Sequence, residues 1–194
     1  MDAEKTNPIS KCDAVLLRKS GVNEKGQARG RFIAECFDKD GRLKWRDIIE
    51  NVVCTIGKNV ALDAYLEGSS YTVTGPFMGL ISSVSYSAVA AGDTMASHAG
   101  WTEAGDTNAP TYTAPRKTCA WDAAASGSKA LSASLAFVFT GSGTVKGCFL
   151  VFGTGAVNTI DDTSGTLYSA GLFTGGDKTV ADTDTINVSY TASL

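Results

Sequence analysis

The only histidine of this 194-residue chain, His98, lies in the stretch AAGDTMASHAGWTEAGDTNAPTYTAPRKTCAW with Asp93, Glu103, Asp106, Cys119 and two of the three tryptophans. Nucleophilic catalysis is the first chemistry to weigh. A serine hydrolase needs an imidazole within hydrogen-bond reach of its nucleophile and a third group to orient the base. No GxSxG elbow accompanies the many serines here. Cys119 with His98 would make a thiol–imidazole pair, but no local signature of such an enzyme surrounds either residue. Asp93, Glu103, Asp106 and Asp122 could supply two carboxylates across a glycosidic bond. The simpler reading of Gly92-Asp93-Thr94 is a turn whose aspartate bonds local amides.

Metal and nucleotide chemistry fare no better. DDTSG at 161–165 and DTDT at 182–185 cluster oxygen atoms without the spacing of a calcium loop, so they read as solvated turns. The triplets GSG at 141 and GTG at 153 precede strands rather than helices, and so lack the helix N-terminus that gives a dinucleotide fingerprint its meaning. Five cysteines (Cys12, Cys36, Cys54, Cys119 and Cys148) contain no CxxC pair, and one histidine cannot complete a zinc set. Most read as small buried hydrophobes, with the pairing of any two left open. The expectation is a protein without catalytic residues, metal or cofactor.

The tryptophans say more than the acids. An indole is a large apolar body with one N–H donor, able to anchor a loop that otherwise has few apolar side chains. Between Trp101 and Trp121, Pro110 and Pro115 stiffen the chain and disfavour helix. A connection of this length is more than a turn. It is expected to be a stiffened excursion pinned by both indoles, whose polar tip at 106–116 meets a neighbouring subunit. Trp45, Trp101, Tyr112, Arg116 and Trp121 are the expected structural or interface residues.

Those residues need a scaffold. Residues 1–30 hold one short apolar run, AVLL at 14–17, followed by the polar SGVNEKGQARG. Such a composition cannot bury enough surface to fold alone, and reads as an extended arm that orders only against its own domain or a neighbour. From residue 31 to 53 the pattern is a β-hairpin turning at 38–41, with Gly41 supplying the positive φ. Phe32, Ala34 and Cys36 face one way, and Leu43 with Trp45 continue that face across the turn. A helix is expected over 55–67, with Thr55 as N-cap, Gly68 as stop and an apolar side that includes Ile56, Val60 and Leu62. Gly57 costs its first turn about 1 kcal/mol relative to alanine, so its stability must come from docking.

Beyond residue 71, short β-branched and aromatic runs alternate with Gly-rich turns. Strands are expected at 72–74, 77–84, 131–140, 144–152, 166–173 and 185–191. The fold class is mainly β: an antiparallel, jelly-roll-like β-sandwich over 31–194 with one short helix and an extended N-terminal arm. Ile186, Val188 and Tyr190 alternate with polar neighbours, so the final strand presents one buried face.

Composition narrows the partners. The formal net charge is −3, with no concentrated basic face to recommend nucleic acid. Residues 1–60 nevertheless carry 12 of the 17 Lys and Arg, leaving the remainder acidic. The start MDAEKTNPISKCDAVLLRKS lacks the apolar core of a secretory signal, and no apolar run is long enough to span a bilayer. A product made in the cytoplasm, with no membrane partner, is expected.

The strings WRDIIENVVCTIGKN, AAGDTMASHAGWTE and GTLYSAGLFTGGDK, with Tyr112, Arg116 and Trp121 between them, resemble a group of small tailed-bacteriophage virion proteins over roughly residues 30–194. The resemblance implies a place in the particle and supplies no catalytic residues. It is compatible with a capsid decoration or cement protein, commonly a trimer bound to the major capsid protein or other virion subunits on the capsid surface. The alternative is a tail, neck or fibre component used in host attachment. Internal repeats and coiled-coil heptads, which a shaft would show, are missing from the sequence, and this favours cement.

Overall fold

The computed structural model describes residues 28–66 and 74–193. Most of the expected arm and the strand expected at 72–74 therefore lie outside the described residues. Alternation drives the first sheet. In β1 (Arg29–Phe37) Phe32, Ala34 and Cys36 are buried, and in β12 (Thr185–Ser193) Ile186, Val188 and Tyr190 are buried. The two strands pair antiparallel from Arg29 with Ser193 to Phe37 with Thr185, so segments from opposite ends of the described chain form the centre of one sheet. β2 (Leu43–Glu50) flanks β1, while β7 (Ser128–Ala130) and β8 (Leu135–Val138) flank β12. β1 starts two residues earlier than expected, at Arg29.

The hairpin turns where expected. Gly41 has φ 77°, and Asp38 accepts the amides of Asp40 and Arg42 on one carboxylate oxygen. One expectation fails there. A register shift at Cys36/Phe37 pairs Leu43 with Phe37, and Leu43 is 55% exposed instead of continuing the buried face. A bulge of this kind re-aims the side chains beyond it.

β3 (Val52–Val53) carries the chain into the second sheet, where it pairs with β10 (Thr166–Leu172). That sheet continues through β9 (Gly143–Phe152), β4 (Phe77–Ser82) and β5 (Glu103–Ala104), with β6 (Lys117–Thr118) also on β4 and β11 (Lys178–Val180) also on β9. All described strand pairs are antiparallel. The result is a mainly β protein with two packed antiparallel sheets, a β-sandwich. The interior cluster joins Phe32, Ile49, Phe137 and Tyr190 of one sheet to Met78, Leu80, Val145 and Cys148 of the other. The run expected at 131–140 is broken into a bridge from Leu131 to Trp121, the strand β8, and a bridge from Phe139 to Tyr112.

The helix α1 (Thr55–Leu66) follows β3. Its first intrahelical bond runs from the Lys58 amide to the Cys54 carbonyl, so Cys54, rather than Thr55, occupies the N-cap. Gly57 has a positive role here: an added Cβ would fall against the Tyr168 backbone, and its absence lets the helix approach β10. Among the described residues docking is confined to one end. Ile56 packs on the core, whereas Leu62 and Leu66 are 55% and 72% exposed. Among the described residues no helix is long and apolar enough to cross a membrane.

Candidate functional site

Between β4 and β7 the chain makes the long excursion anticipated from its prolines, and its stretch from Met95 to Trp101 lies on the outer face of the second sheet. Strand side chains alternate in direction, so while Leu80 and Cys148 point into the sandwich, Ile81, Phe149 and Val151 point outward. Met95 and Trp101 cover them and form a second buried cluster. The Trp101 indole N–H donates to Asp93 Oδ2 at 3.0 Å, and the same oxygen accepts the Ala90 amide at 2.9 Å. Asp93 thus performs the turn-holding role read from the sequence. The His98 ring stacks on Trp101 with centroids 4.2 Å apart, and its Nδ1 lies 3.0 Å from the Thr94 carbonyl. A carbonyl can only accept, which fixes the proton of neutral His98 on Nδ1.

Below this clamp lies a buried ion pair. Glu103, on β5, and Arg116, just before β6, are 4% and 1% exposed. Arg116 Nε donates to Glu103 Oε1 at 2.9 Å and Nη2 donates to Oε2 at 2.6 Å, a two-point geometry suited to guanidinium and carboxylate. Arg116 also donates to the carbonyls of Asp162 at 2.7 Å and Val157 at 3.3 Å, and Glu103 accepts the Asp161 amide at 2.8 Å. The pair therefore ties the excursion to the turn before β10. Burial pushes the Glu103 carboxyl up from the usual range, opposed by Arg116 and the Asp161 amide. Gly79, opposite Phe149 in the β4–β9 register, leaves the space that this ring and the Glu103 carboxylate occupy. The Arg116 guanidinium lies 5.4 Å from the centre of the Phe149 ring.

Over the pair opens a polar recess of about 380 Å³, whose wall includes Ser97, His98, Asn108, Asp162 and Thr163. Glu103 at its base already holds three donors, so the recess offers hydrogen-bonding surface rather than an unengaged carboxylate. Cys119 is not near this recess. It belongs to the interior cluster, on the other side of the sheet from Trp101 and its stacked histidine, and burial pushes its thiol up to about 12. Cys36, Cys54 and Cys148 are likewise buried and unpaired, each thiol raised by burial. Among the described residues no group of three or more His, Cys, Asp or Glu side chains is placed to hold a metal ion.

The five residues singled out from the sequence fall in four places. Arg116 and Trp101 support the recess. Tyr112 is 3% exposed inside the sandwich, edge-on to Phe137 with ring centres 5.1 Å apart. Trp45 packs edge-on to Phe173 at 5.4 Å and donates its N–H to the Thr179 carbonyl at 3.3 Å. Trp121 is half-buried, 6.0 Å from Tyr190, and borders a separate apolar cavity beside α1. The tip expected at 106–116 divides accordingly: Asp106, Thr107 and residues 113–115 are exposed, while Tyr112 and Arg116 lie within the fold. Glu103 was considered in the sequence only as one of several acids. Its pairing with Arg116 leaves no sequence signal, because Arg116 lies thirteen positions further along a largely irregular segment. No protein-family model matches the chain, and no curated protein or solved structure shows significant similarity to it.

Proposed function

We propose that this protein is a non-enzymatic structural component of a tailed-phage virion, a homotrimeric decoration or cement protein that binds neighbouring capsid subunits and stabilises the shell. The observation that carries the reading is the use made of the excursion's polar groups. Asp93 holds Trp101, Glu103 holds Arg116, and Arg116 holds the turn at 157–162. These contacts fix a broad surface, with residues 96–99, 106–107 and 113–115 on its outside, before any partner arrives. Preorganisation of this kind reduces the ordering cost of association. Repeated across a symmetric trimer, modest contacts sum to firm attachment. The sequence resemblance to small phage virion proteins points the same way.

The test is quantitative densitometry of purified particles together with light scattering of the isolated protein. A cement role requires a copy number that scales with the capsid subunits, and a trimer mass in solution. A handful of copies per particle would sink it. Purified protein that blocks infection by occupying host cells would instead establish the tail, neck or fibre alternative.

A further inference from the structure

Among the described residues the interior of the sandwich is open at one end. Along β12 the buried face runs Ile186, Val188, Tyr190 and then Ala192, and along β9 it runs Cys148, Leu150 and then Phe152. Ala192 and Phe152 emerge into an apolar cavity of about 450 Å³, walled also by Trp121, Tyr168 and the α1 residues Val60 and Ala64. An apolar opening continuous with a core calls for an occupant. The helix beside it makes the same demand. α1 has twelve residues, too few to be stable alone, and past its first turn its apolar side chains have little to pack on among the described residues.

We propose that residues 14–17 of the same chain, AVLL, fill this opening. The place where the described chain begins argues for it. Gly30 pairs with Ala192 and Arg29 with Ser193, so the polypeptide enters β1 at the rim of the cavity. Of the residues before that point, 14–17 form the sole run of four apolar side chains. The linker from Leu17 to Ala28 can reach roughly 36 Å when extended, and spans about 18 Å as a flexible coil. Both distances suit a site at the strand's own entry. The short tether gives the segment an effective concentration in the millimolar range, above that of a second copy of the chain under ordinary solution conditions. Docking there would cover Trp121 and Tyr168 and give α1 a second wall. The inference is independent of any role in a capsid.

The test places the photo-crosslinking residue benzoylphenylalanine at Leu16 of the full chain, in an equal mixture of light and isotopically heavy protein. Mass spectrometry should find crosslinks within one chain, to α1, Phe152 or Tyr168. Crosslinks joining light to heavy chains would show a second copy as occupant, and crosslinks to other surfaces, or none above background, would equally overturn the proposal. A second measurement uses Leu16→Asp/Leu17→Asp, changes that leave every described strand unaltered. Amide exchange in α1 should accelerate at least tenfold while β12 stays protected. Unchanged exchange in α1 would refute docking of these residues.

Discussion

Replacing Arg116 by methionine tests the reading of the excursion most directly. Methionine approximates the length of the aliphatic stem but removes the guanidinium, and with it both bonds to Glu103 and the donors to the Asp162 and Val157 carbonyls. Glu103, 4% exposed, would be left with the Asp161 amide as its donor among the described residues. Stranding a buried charge in this way costs about 3–5 kcal/mol. In a domain of this size each kcal/mol moves the melting temperature by about 2–4 °C, so calorimetry should find Tm lowered by roughly 6–20 °C. The double variant Glu103→Gln/Arg116→Met loses the same carbonyl partners but strands no charge. It should therefore be more stable than Arg116→Met by about 2 kcal/mol. The pH dependence separates a charge effect from lost packing. In Arg116→Met the folded state favours a protonated Glu103 and so binds more protons than the unfolded chain; its stability must rise as pH falls from 7 towards 5. A loss below about 1 kcal/mol, a double variant no better than the single one, or no recovery in acid would refute the role assigned to this pair.

Other expectations concern different parts of the scaffold. Burial alone would raise the carboxyl of Asp47, but Lys178 at 2.6 Å and donors from Ile48, Thr174 and Gly175 hold it below the usual carboxylate range. Its stabilising contribution is then complete above the unfolded value of about 3.9 and lost as pH falls through the lower folded value; Asp47→Asn should cost about 1–3 kcal/mol at pH 7 and flatten this acid limb in denaturant titrations. Trp101→Ala should destabilise by about 3–5 kcal/mol in the same titrations, since it empties the second cluster and removes the partner of Asp93. Removing residues 185–194 deletes β12, the common neighbour of β1, β7 and β8, and should abolish the cooperative thermal transition; a truncated chain that still melts cooperatively would contradict the topology.

The parts legible in the sequence were those with a short period or a dedicated turn residue. Phe32, Ala34 and Cys36, the turn at Gly41 and the alternation of β12 all rest on local rules, and their strands form with the expected buried faces. The length of α1 was legible too. That it must dock was expected, but the means was not legible, because Gly57 reads as a weakness until the Tyr168 backbone is seen against it. The crossover at β3 was absorbed into the expected hairpin, since two residues carry no period of their own. The site was least accessible. Trp101 marked the clamp by size and composition, but the partners of Arg116 come from segments near 103 and 157–162 and meet only in three dimensions. Charge in a loop ordinarily means solvent, and only the enclosing packing turns Arg116 into a buried tie.

The pairing of β1 with β12 also bears on how the protein reaches its native state. β1 is the first of the described strands to be synthesised, whereas β12 is the last. Contacts so distant in sequence carry a large loop-closure cost and tend to form slowly. Until Thr185–Ser193 becomes available, the hairpin of β1 and β2 must expose the unpaired edge of RGRFIAECF, an apolar template for another chain. Nascent and interrupted chains therefore share an aggregation-prone edge that the finished fold places in the middle of a sheet. Recovery of soluble protein should depend on how quickly that edge is covered, with slower expression and chaperone occupancy favouring the native product.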